Sequence, residues 1–123
     1  MIGPINKTHL MKKFVVLYHA PAKLVASMSQ VSPEEAKKGM EGWMKWAAKC
    51  GSQLVDMGAP LMGGVRLNPD GSADASKKQV TGYSILEAKS MAGAKSLLKG
   101  HPHLKWDGSC SIEVHEAMPL SGM

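Results

Sequence analysis

The chain has 123 residues, of which 44% are hydrophobic and 20% charged, and it carries a formal net charge of +5. This length and composition fit one domain with its own core, and they exclude a disordered or fibrous chain. The charge comes from lysines spread along the chain, with Arg66 as the single arginine. Because arginine is the residue suited to bidentate phosphate and base contacts, we expect no nucleic-acid partner.

Composition also bears on the cell compartment. No apolar run reaches the roughly 18 residues of a membrane-spanning helix, and no apolar segment with a small-residue cleavage site follows the start. The two cysteines, Cys50 and Cys110, are too few for a disulfide framework, and we expect reduced thiols. The sequence therefore predicts a cytoplasmic protein with no membrane partner.

The ends of the chain differ from its centre. Residues 1–10 lack clear periodicity, and the Met-Lys-Lys at 11–13 is typical of a natural start. We expect residues 1–11 to be an extension or a flexible N-terminus. The domain is expected to span 12–117, with a loose tail over 118–123.

The first half of the chain predicts a strand, a loop and a helix. Residues 13–19 are a β-branched and aromatic run of strand length. Residues 20–31, with a proline and scattered Ser and Ala, predict a loop. Ser-Pro-Glu-Glu at 32–35 forms a capping box with proline at the first helical position, and apolar residues then recur at spacings of 3 and 4. Gly51 is expected to end this helix.

The middle of the chain predicts two strands joined by a hairpin. Residues 53–60 are expected to form the second strand, and residues 61–67 to continue it beyond a kink. Asn-Pro-Asp-Gly at 68–71 is a turn sequence, and the polar stretch 70–78 predicts an exposed loop. Residues 80–88 predict the third strand.

The last part of the chain predicts a helix, a turn and a strand. Ser90 is expected to cap a helix over 91–99, which Gly100 ends, with His-Pro-His forming a turn at 101–103. The strand over 109–117 alternates between its two faces. Cys110, Ile112 and Val114 point one way, and Ser111, Glu113 and His115 point the other.

The element order is βαββαβ, which is the order of the ferredoxin-like unit. We therefore predict an α+β fold, with a four-stranded antiparallel sheet and two helices on one of its faces. The other face carries polar side chains. It either contacts water or faces a second sheet in a dimer, enclosing a partly polar cavity.

Three residues are candidates for catalysis. His19, at the end of the first strand, is suited to general-base chemistry if it faces the cavity. The alternative for His19 is a strand-end imidazole in water. His101 follows a helix C-terminus, where the helix dipole favours a protonated ring that binds an anion or donates a proton. The alternative is a helix-stop motif whose imidazoles bond free carbonyls. Asp56 is the carboxylate favoured as the partner of a histidine, with a solvent-facing position as its alternative.

The remaining candidates concern binding. His103, Tyr83 and His115 are the predicted substrate-binding side chains. His101, His103 and His115, together with Glu113 or Asp56, are residue types that bind zinc or non-haem iron. However, His-Pro-His is not a strong metal spacing and no Cys-x-x-Cys accompanies it. We therefore predict no metal and no cofactor.

Three segments resemble the YCII-related proteins of the dimeric α+β barrel superfamily, near the DGPF branch. They are Gly-Ala-Pro-Leu at 58–61, Gly-Tyr-Ser-Ile-Leu-Glu-Ala at 82–88, and Gly-His-Pro-His-Leu at 100–104 leading to Ile-Glu-Val at 112–114. The resemblance covers residues 12–117, although the chain contains no Asp-Gly-Pro-Phe. It implies a bacterial homodimer, formed through the sheet face, with a sheet-lined pocket for a small molecule.

The resemblance leaves two functions open. Some relatives are small-molecule enzymes, including a dehydrochlorinase of chlorinated hydroxyquinols, and relatives with a proposed catalytic site tend to carry a histidine on the first helix. Residues 33–50 contain no histidine. One hypothesis is an enzyme of elimination or isomerisation chemistry, with His19 or His101 as acid or base, His103 as anchor and Asp56 as orienter. The other is a non-catalytic dimeric module that binds a metabolite.

Overall fold

The computed structural model describes residues 11–120 of the chain. The predicted N-terminal extension therefore lies, except for Met11, outside the described residues, as do residues 121–123 of the predicted tail. The strands are β1 Lys12–His19, β2 Leu54–Asp56, β3 Val65–Leu67, β4 Ala73–Ala75, β5 Val80–Ala88 and β6 Ser111–Ala117. The helices are α1 Ala22–Ser27, α2 Pro33–Cys50, α3 Met91–Leu98 and α4 Pro102–Trp106.

The main sheet has four strands in the order β2-β5-β1-β6, all antiparallel. Its two central strands, β1 and β5, are the first and third of these four strands in chain order, as in the ferredoxin-like unit. The predicted α+β fold and its four-stranded antiparallel sheet are confirmed. Strands β3 and β4 form a separate two-stranded hairpin.

One face of the sheet carries the core. Phe14 lies opposite Leu86, and Val16 lies opposite Ser84 on one side and Val114 on the other. Side chains from α2 and α3 close over these positions. The buried apolar cluster comprises Phe14, Val16, Tyr18, Trp46, Cys50, Leu86, Ala88, Ala94 and Leu98. Full burial of a large apolar side chain contributes about 1.5–3 kcal/mol, so this face is the main source of stability.

Helix α2 begins and ends at the predicted residues. The Ser32 hydroxyl accepts a hydrogen bond from the Glu35 amide at 3.2 Å, with Pro33 at the first helical position. Gly51 follows the last residue with a φ of 58°. On the inner side of the helix, the Trp46 indole N–H donates to the carbonyl oxygen of Leu97 at 2.8 Å. This bond fixes α2 against the end of α3.

Residues 20–31 were predicted to be a loop, and this was wrong. They form α1 and a 3₁₀ turn over Met28–Gln30. The carbonyl oxygen of Pro21 accepts from the amides of Leu24 and Val25, so the proline precedes the helix instead of breaking it. Proline has no N–H to donate, and the start of a helix is where that donor is not needed.

The middle of the chain also departs from the prediction. Strand β2 is shorter than residues 53–60, because the chain turns at Gly58, whose φ is 80°. A single bridge between Pro60 and Gly82 then returns it to the sheet. Residues 61–67 do not continue β2. Instead β3 pairs with β4, which lies inside the stretch 70–78 that was predicted to be a loop.

The second face of the sheet carries no layer of helices among the described residues. We call it the open face and define it by Val15, Leu17, His19, Asp56, Tyr83, Ile85, Ser111, Glu113 and His115. Its centre is apolar and half-buried, and its charged groups lie towards the two edge strands. The predicted alternation of β6 is confirmed, since Ile112 and Val114 pack against the core while Glu113 and His115 are exposed.

Candidate functional site

Two imidazoles and a carboxylate meet on the open face. The pairing of β1 with β6 places Leu17 opposite Glu113 and His19 opposite Ser111. The Glu113 carboxylate therefore lies between the two histidines. Its Oε2 is 4.0 Å from Nδ1 of His19, and its Oε1 is 2.7 Å from Nε2 of His115.

The electrostatics of this group favour an ionised Glu113. The hydrogen bond from His115 is the main reason that the pKa of Glu113 is lowered, and the positive potential of His19 adds to it. The other ring nitrogen of His19, Nε2, is buried and has no hydrogen-bond partner among the described residues. A buried polar atom without a partner is uncommon in a folded protein. The accessible nitrogen of the ring is therefore Nδ1, on the side of Glu113.

A second polar pair lies across the centre of the open face. Leu17 lies opposite Tyr83 on β5, so Tyr83 and Glu113 flank the same residue of β1. The Tyr83 hydroxyl is 3.4 Å from Oδ2 of Asp56, and Oδ1 of Asp56 accepts from the Gly58 amide at 2.8 Å. Asp56 is thus held by Tyr83 and its own turn. Its predicted pairing with a histidine is not observed.

His101 and His103 lie on the other side of the sheet. His101 is fully buried and sits against Trp43 and Trp46, with ring centroids 4.5 and 4.4 Å away. His101 is not at a free helix C-terminus as predicted. It caps α4, because its Nδ1 accepts from the His103 amide at 2.9 Å.

The predicted protonation of His101 was wrong. Burial lowers the pKa of His101 from 6.5 to about 3, and the nearby His103 adds to this shift. The ring is therefore neutral at physiological pH. Since its Nδ1 accepts a hydrogen bond, its Nε2 carries the proton and donates to the Tyr18 hydroxyl at 3.3 Å.

This donor begins a buried chain of hydrogen bonds that crosses the core. Tyr18 donates to the Ser84 hydroxyl at 2.8 Å, and Ser84 donates to the carbonyl oxygen of Met57 at 2.7 Å. Burial raises the pKa of Tyr18 to about 12, so its hydroxyl stays protonated. Every member of the chain has a partner, which is the condition under which buried polar groups stabilise a fold.

His103 links this buried side to the open face. Its Nε2–H donates to the carbonyl oxygen of His19 at 2.8 Å. The backbone at the end of β1 is therefore fixed from the helix side, while the His19 side chain points to the open face. The predicted site residues separate into two groups: His19, Asp56, Tyr83 and His115 share the open face, and His101 and His103 lie beneath the sheet.

The carboxylate found beside His19 is Glu113. The sequence predicts both Glu113 and Asp56 on strands, but Asp56 was the predicted partner of a histidine. The signal for Glu113 was present in the alternation of β6, which places it on the same face as His115. Within residues 11–120, the His, Cys, Asp and Glu side chains form no cluster of three suited to a metal ion. None of the helices in these residues combines the length and apolar composition that a membrane crossing requires.

A family model described as the YCII-related domain matches residues 11–117. The chain belongs to this family. The resemblance drawn from its sequence segments is therefore confirmed. No protein in a comparison with curated sequences matches this YCII-related domain significantly.

This YCII-related domain is similar to the solved structure of the 5-chloro-2-hydroxyhydroquinone dehydrochlorinase (TftG) from Burkholderia phenoliruptrix AC1100, in complex with 2,5-dihydroxybenzoquinone. The TM-score is 0.53 at 15% sequence identity, and the match covers 89% of this chain and 97% of the other. At this identity the likeness establishes a shared fold.

Proposed function

We propose that this YCII-related domain forms a homodimer through its open face and binds a small molecule in the cavity between the two sheets, where His19 acts as a general base. The observation that carries the proposal is the environment of His19. One ring nitrogen lies 4.0 Å from Glu113, and the other is buried without a partner.

The chemistry follows from the two ring nitrogens. Nε2 is buried, so Nδ1 is the nitrogen that a ligand on the open face would reach. Glu113 stabilises the positive charge that forms when Nδ1 takes a proton. The distance of 4.0 Å exceeds that of a hydrogen bond, and catalytic hydrogen bonds often tighten when the substrate binds. Tyr83 and His115 contribute hydrogen-bonding groups on either side of the central apolar strip. This arrangement suits proton abstraction from a compact molecule, as elimination and isomerisation require.

The proposal of a dimer depends on the apolar centre of the open face. Val15, Leu17 and Ile85 form a strip at the middle of a sheet face that no described helix covers. A sheet with one apolar face needs a second layer, and a copy of the same face would provide it. We further propose a cytoplasmic location, which the free thiols of Cys50 and Cys110 suit.

The ligand class is proposed from the similar structure. That dehydrochlorinase was solved with 2,5-dihydroxybenzoquinone, a compact hydroxylated ring. A ring of this kind would pack on Leu17 while its oxygens bond to polar groups at both edges. We therefore use 2,5-dihydroxybenzoquinone as the probe.

The test has a binding part and a proton-transfer part. Light scattering should give the mass of a dimer at micromolar concentration, and NMR titration with 2,5-dihydroxybenzoquinone should shift the amides of the open-face strands. In D₂O, the protein should accelerate deuterium exchange at the ring carbons of the probe. His19→Gln and Glu113→Gln should lose this acceleration. Glu116→Gln is the matched control, since it makes the same change on the same strand but towards the helix side.

Each result decides between the alternatives. A monomer, or amide shifts elsewhere, would contradict the proposed cavity. Binding at the open face without accelerated exchange would favour a non-catalytic metabolite-binding module. The absence of histidine on α2, where related sites tend to carry one, is the observation that favours that module.

A further inference from the structure

A cavity with four lysines at its edge lies in the helix layer, away from the open face. Its volume is about 310 Å³, and it lies between α2 and the segment that connects α3 to α4. The principal lining residues are Lys45, Trp46, Lys49, Lys99, Pro102 and Lys105. None of them belongs to the proposed dimer cavity, so this inference does not depend on the proposed function.

The fold brings together lysines that are dispersed in the sequence. Lys45 and Lys49 are four residues apart on α2 and share one side of that helix. Lys99 caps the end of α3, and Lys105 lies in the last turn of α4. The Lys49 ammonium donates to the carbonyl oxygen of Lys99 at 3.3 Å, which holds the two elements together at the rim of the cavity.

All the charged side chains that line the cavity are positive. Its lining contains no carboxylate. Among the described residues, none of these four lysines forms an ion pair. Four ammonium groups around a concave surface raise the local positive potential and attract anions. Four of the fourteen lysines, which lie apart in the sequence, therefore converge on one place.

The floor of the cavity is apolar and rigid. Trp46 is 4% exposed, and its indole N–H is bonded to the carbonyl oxygen of Leu97. Pro102 is half-buried beside it and has a fixed φ. A ligand would therefore meet flat apolar surface below and mobile ammonium groups at the rim. Lysine binds phosphate as a point charge and adapts to its position through a flexible stem.

We propose that this cavity, which we call the lysine cavity, is a binding site for phosphate groups of a small phosphorylated molecule or of a lipid head group. An ammonium rim over an apolar floor selects phosphate attached to a carbon skeleton. Inorganic pyrophosphate reproduces the anionic part and is the probe for the rim.

The experiment compares two double variants that remove the same charge from the same protein. Lys45→Gln/Lys105→Gln removes two rim lysines, and Lys37→Gln/Lys38→Gln removes two exposed lysines of α2 outside the cavity. Calorimetry with pyrophosphate at fixed chloride should give saturable binding that weakens about tenfold in the rim variant, the effect expected for two exposed charge contacts. The control variant should bind as the unchanged chain does. Amide and indole NMR spectra should show both variants folded.

NMR and vesicles complete the test. Pyrophosphate should shift the indole N–H signal of Trp46, which lies at the floor. Sedimentation with phosphatidylcholine vesicles, with and without phosphatidic acid, distinguishes the source: binding to the acidic vesicles that the rim variant loses would assign the site to a lipid head group. Absence of binding to both probes would overturn the proposal. Equal weakening in both double variants would overturn it too, because it would indicate nonspecific charge.

Discussion

The Ser84 hydroxyl, fully buried on the helix side of β5, donates a hydrogen bond of 2.7 Å to the carbonyl oxygen of Met57. Met57 directly follows β2, where the chain leaves the sheet. One hydroxyl in the core therefore fixes the turn that carries Asp56 to the open face. This hydrogen bond therefore connects the buried core to the candidate site on the open face.

Ser84→Ala should destabilise the fold by about 1–3 kcal/mol, the usual cost of leaving a buried polar group without a partner. The Met57 carbonyl would lose its donor and the Tyr18 hydroxyl its acceptor. Urea denaturation followed by tryptophan fluorescence would measure the loss. Ser111→Ala, an exposed serine on β6, should change the free energy of unfolding by less than about 0.5 kcal/mol. Equal effects in the two variants would contradict the role assigned to Ser84.

Gly58→Ala should destabilise the fold more than Ser84→Ala does. Gly58 has a φ of 80°, and an added Cβ would lie 1.7 Å from the carbonyl oxygen of Tyr83. That overlap is with backbone and requires the turn to move. Gly39→Ala is the matched control, because a Cβ there meets nothing within 4 Å. Thermal unfolding should show a large loss for Gly58→Ala, whereas Gly39→Ala should gain up to about 1 kcal/mol from helix propensity.

The buried His101 should make stability depend on pH. In the unfolded chain it takes up a proton below its ordinary pKa of 6.5, whereas in the folded protein its pKa is about 3. The unfolded state therefore binds more protons in this window. The stability that the neutral, buried His101 provides is complete above pH 6.5 and declines towards pH 3, by about 1.4 kcal/mol for each pH unit.

His101→Asn isolates that contribution. Asparagine keeps an acceptor for the His103 amide but has no ionisable ring. The variant should be less stable at neutral pH, yet its unfolding free energy should fall less steeply between pH 6.5 and 4 than that of the unchanged chain. Denaturant midpoints measured over this range would check it. If the unfolding free energies of the variant and of the unchanged chain fell equally with pH, His101 would not titrate as inferred.

The pKa of Glu113 should rise towards its ordinary value when His115 is removed. The hydrogen bond from His115 is the largest cause of its lowered pKa, and the charge of His19 is a smaller one. His115→Ala should therefore raise the pKa of Glu113 more than His19→Ala does. Carboxyl carbon NMR during an acid titration would follow this group directly. The reverse order would mean that His19 is the stronger partner of Glu113.

Much of the fold could be predicted because local signals agreed with the tertiary structure. Ser32 and Gly51 mark the ends of α2, and β5 occupies the predicted residues. The prediction failed where one residue type fits two local structures. Pro21 reads as a loop residue, but it also suits the position before a helix. The strands of the β3–β4 hairpin have three exposed residues each, and an alternation as short as Val-Arg-Leu or Ala-Asp-Ala does not distinguish a strand from a loop.

The site was harder to predict, because register and burial are properties of the whole sheet. His19 was identified from its place at a strand end, but its neighbour Glu113 depends on how β1 pairs with β6. The environment of His101 was predicted wrongly for a related reason. Its sequence position after a helix is the same whether the ring contacts water or two tryptophans, and the packing of α2 decides between them.

The separation of the histidines into two groups has a consequence for comparing relatives. Gly-His-Pro-His is a marker of architecture here, since its imidazoles cap a helix and hold a strand end. A homologue that keeps this tetrapeptide would share the scaffold whatever reaction it performs. Under the proposed function, the residues that determine the chemistry would lie at the positions of His19 and Glu113, which are far apart in the chain and carry no contiguous motif. Functional subgroups should therefore be sorted by that pair of columns in an alignment.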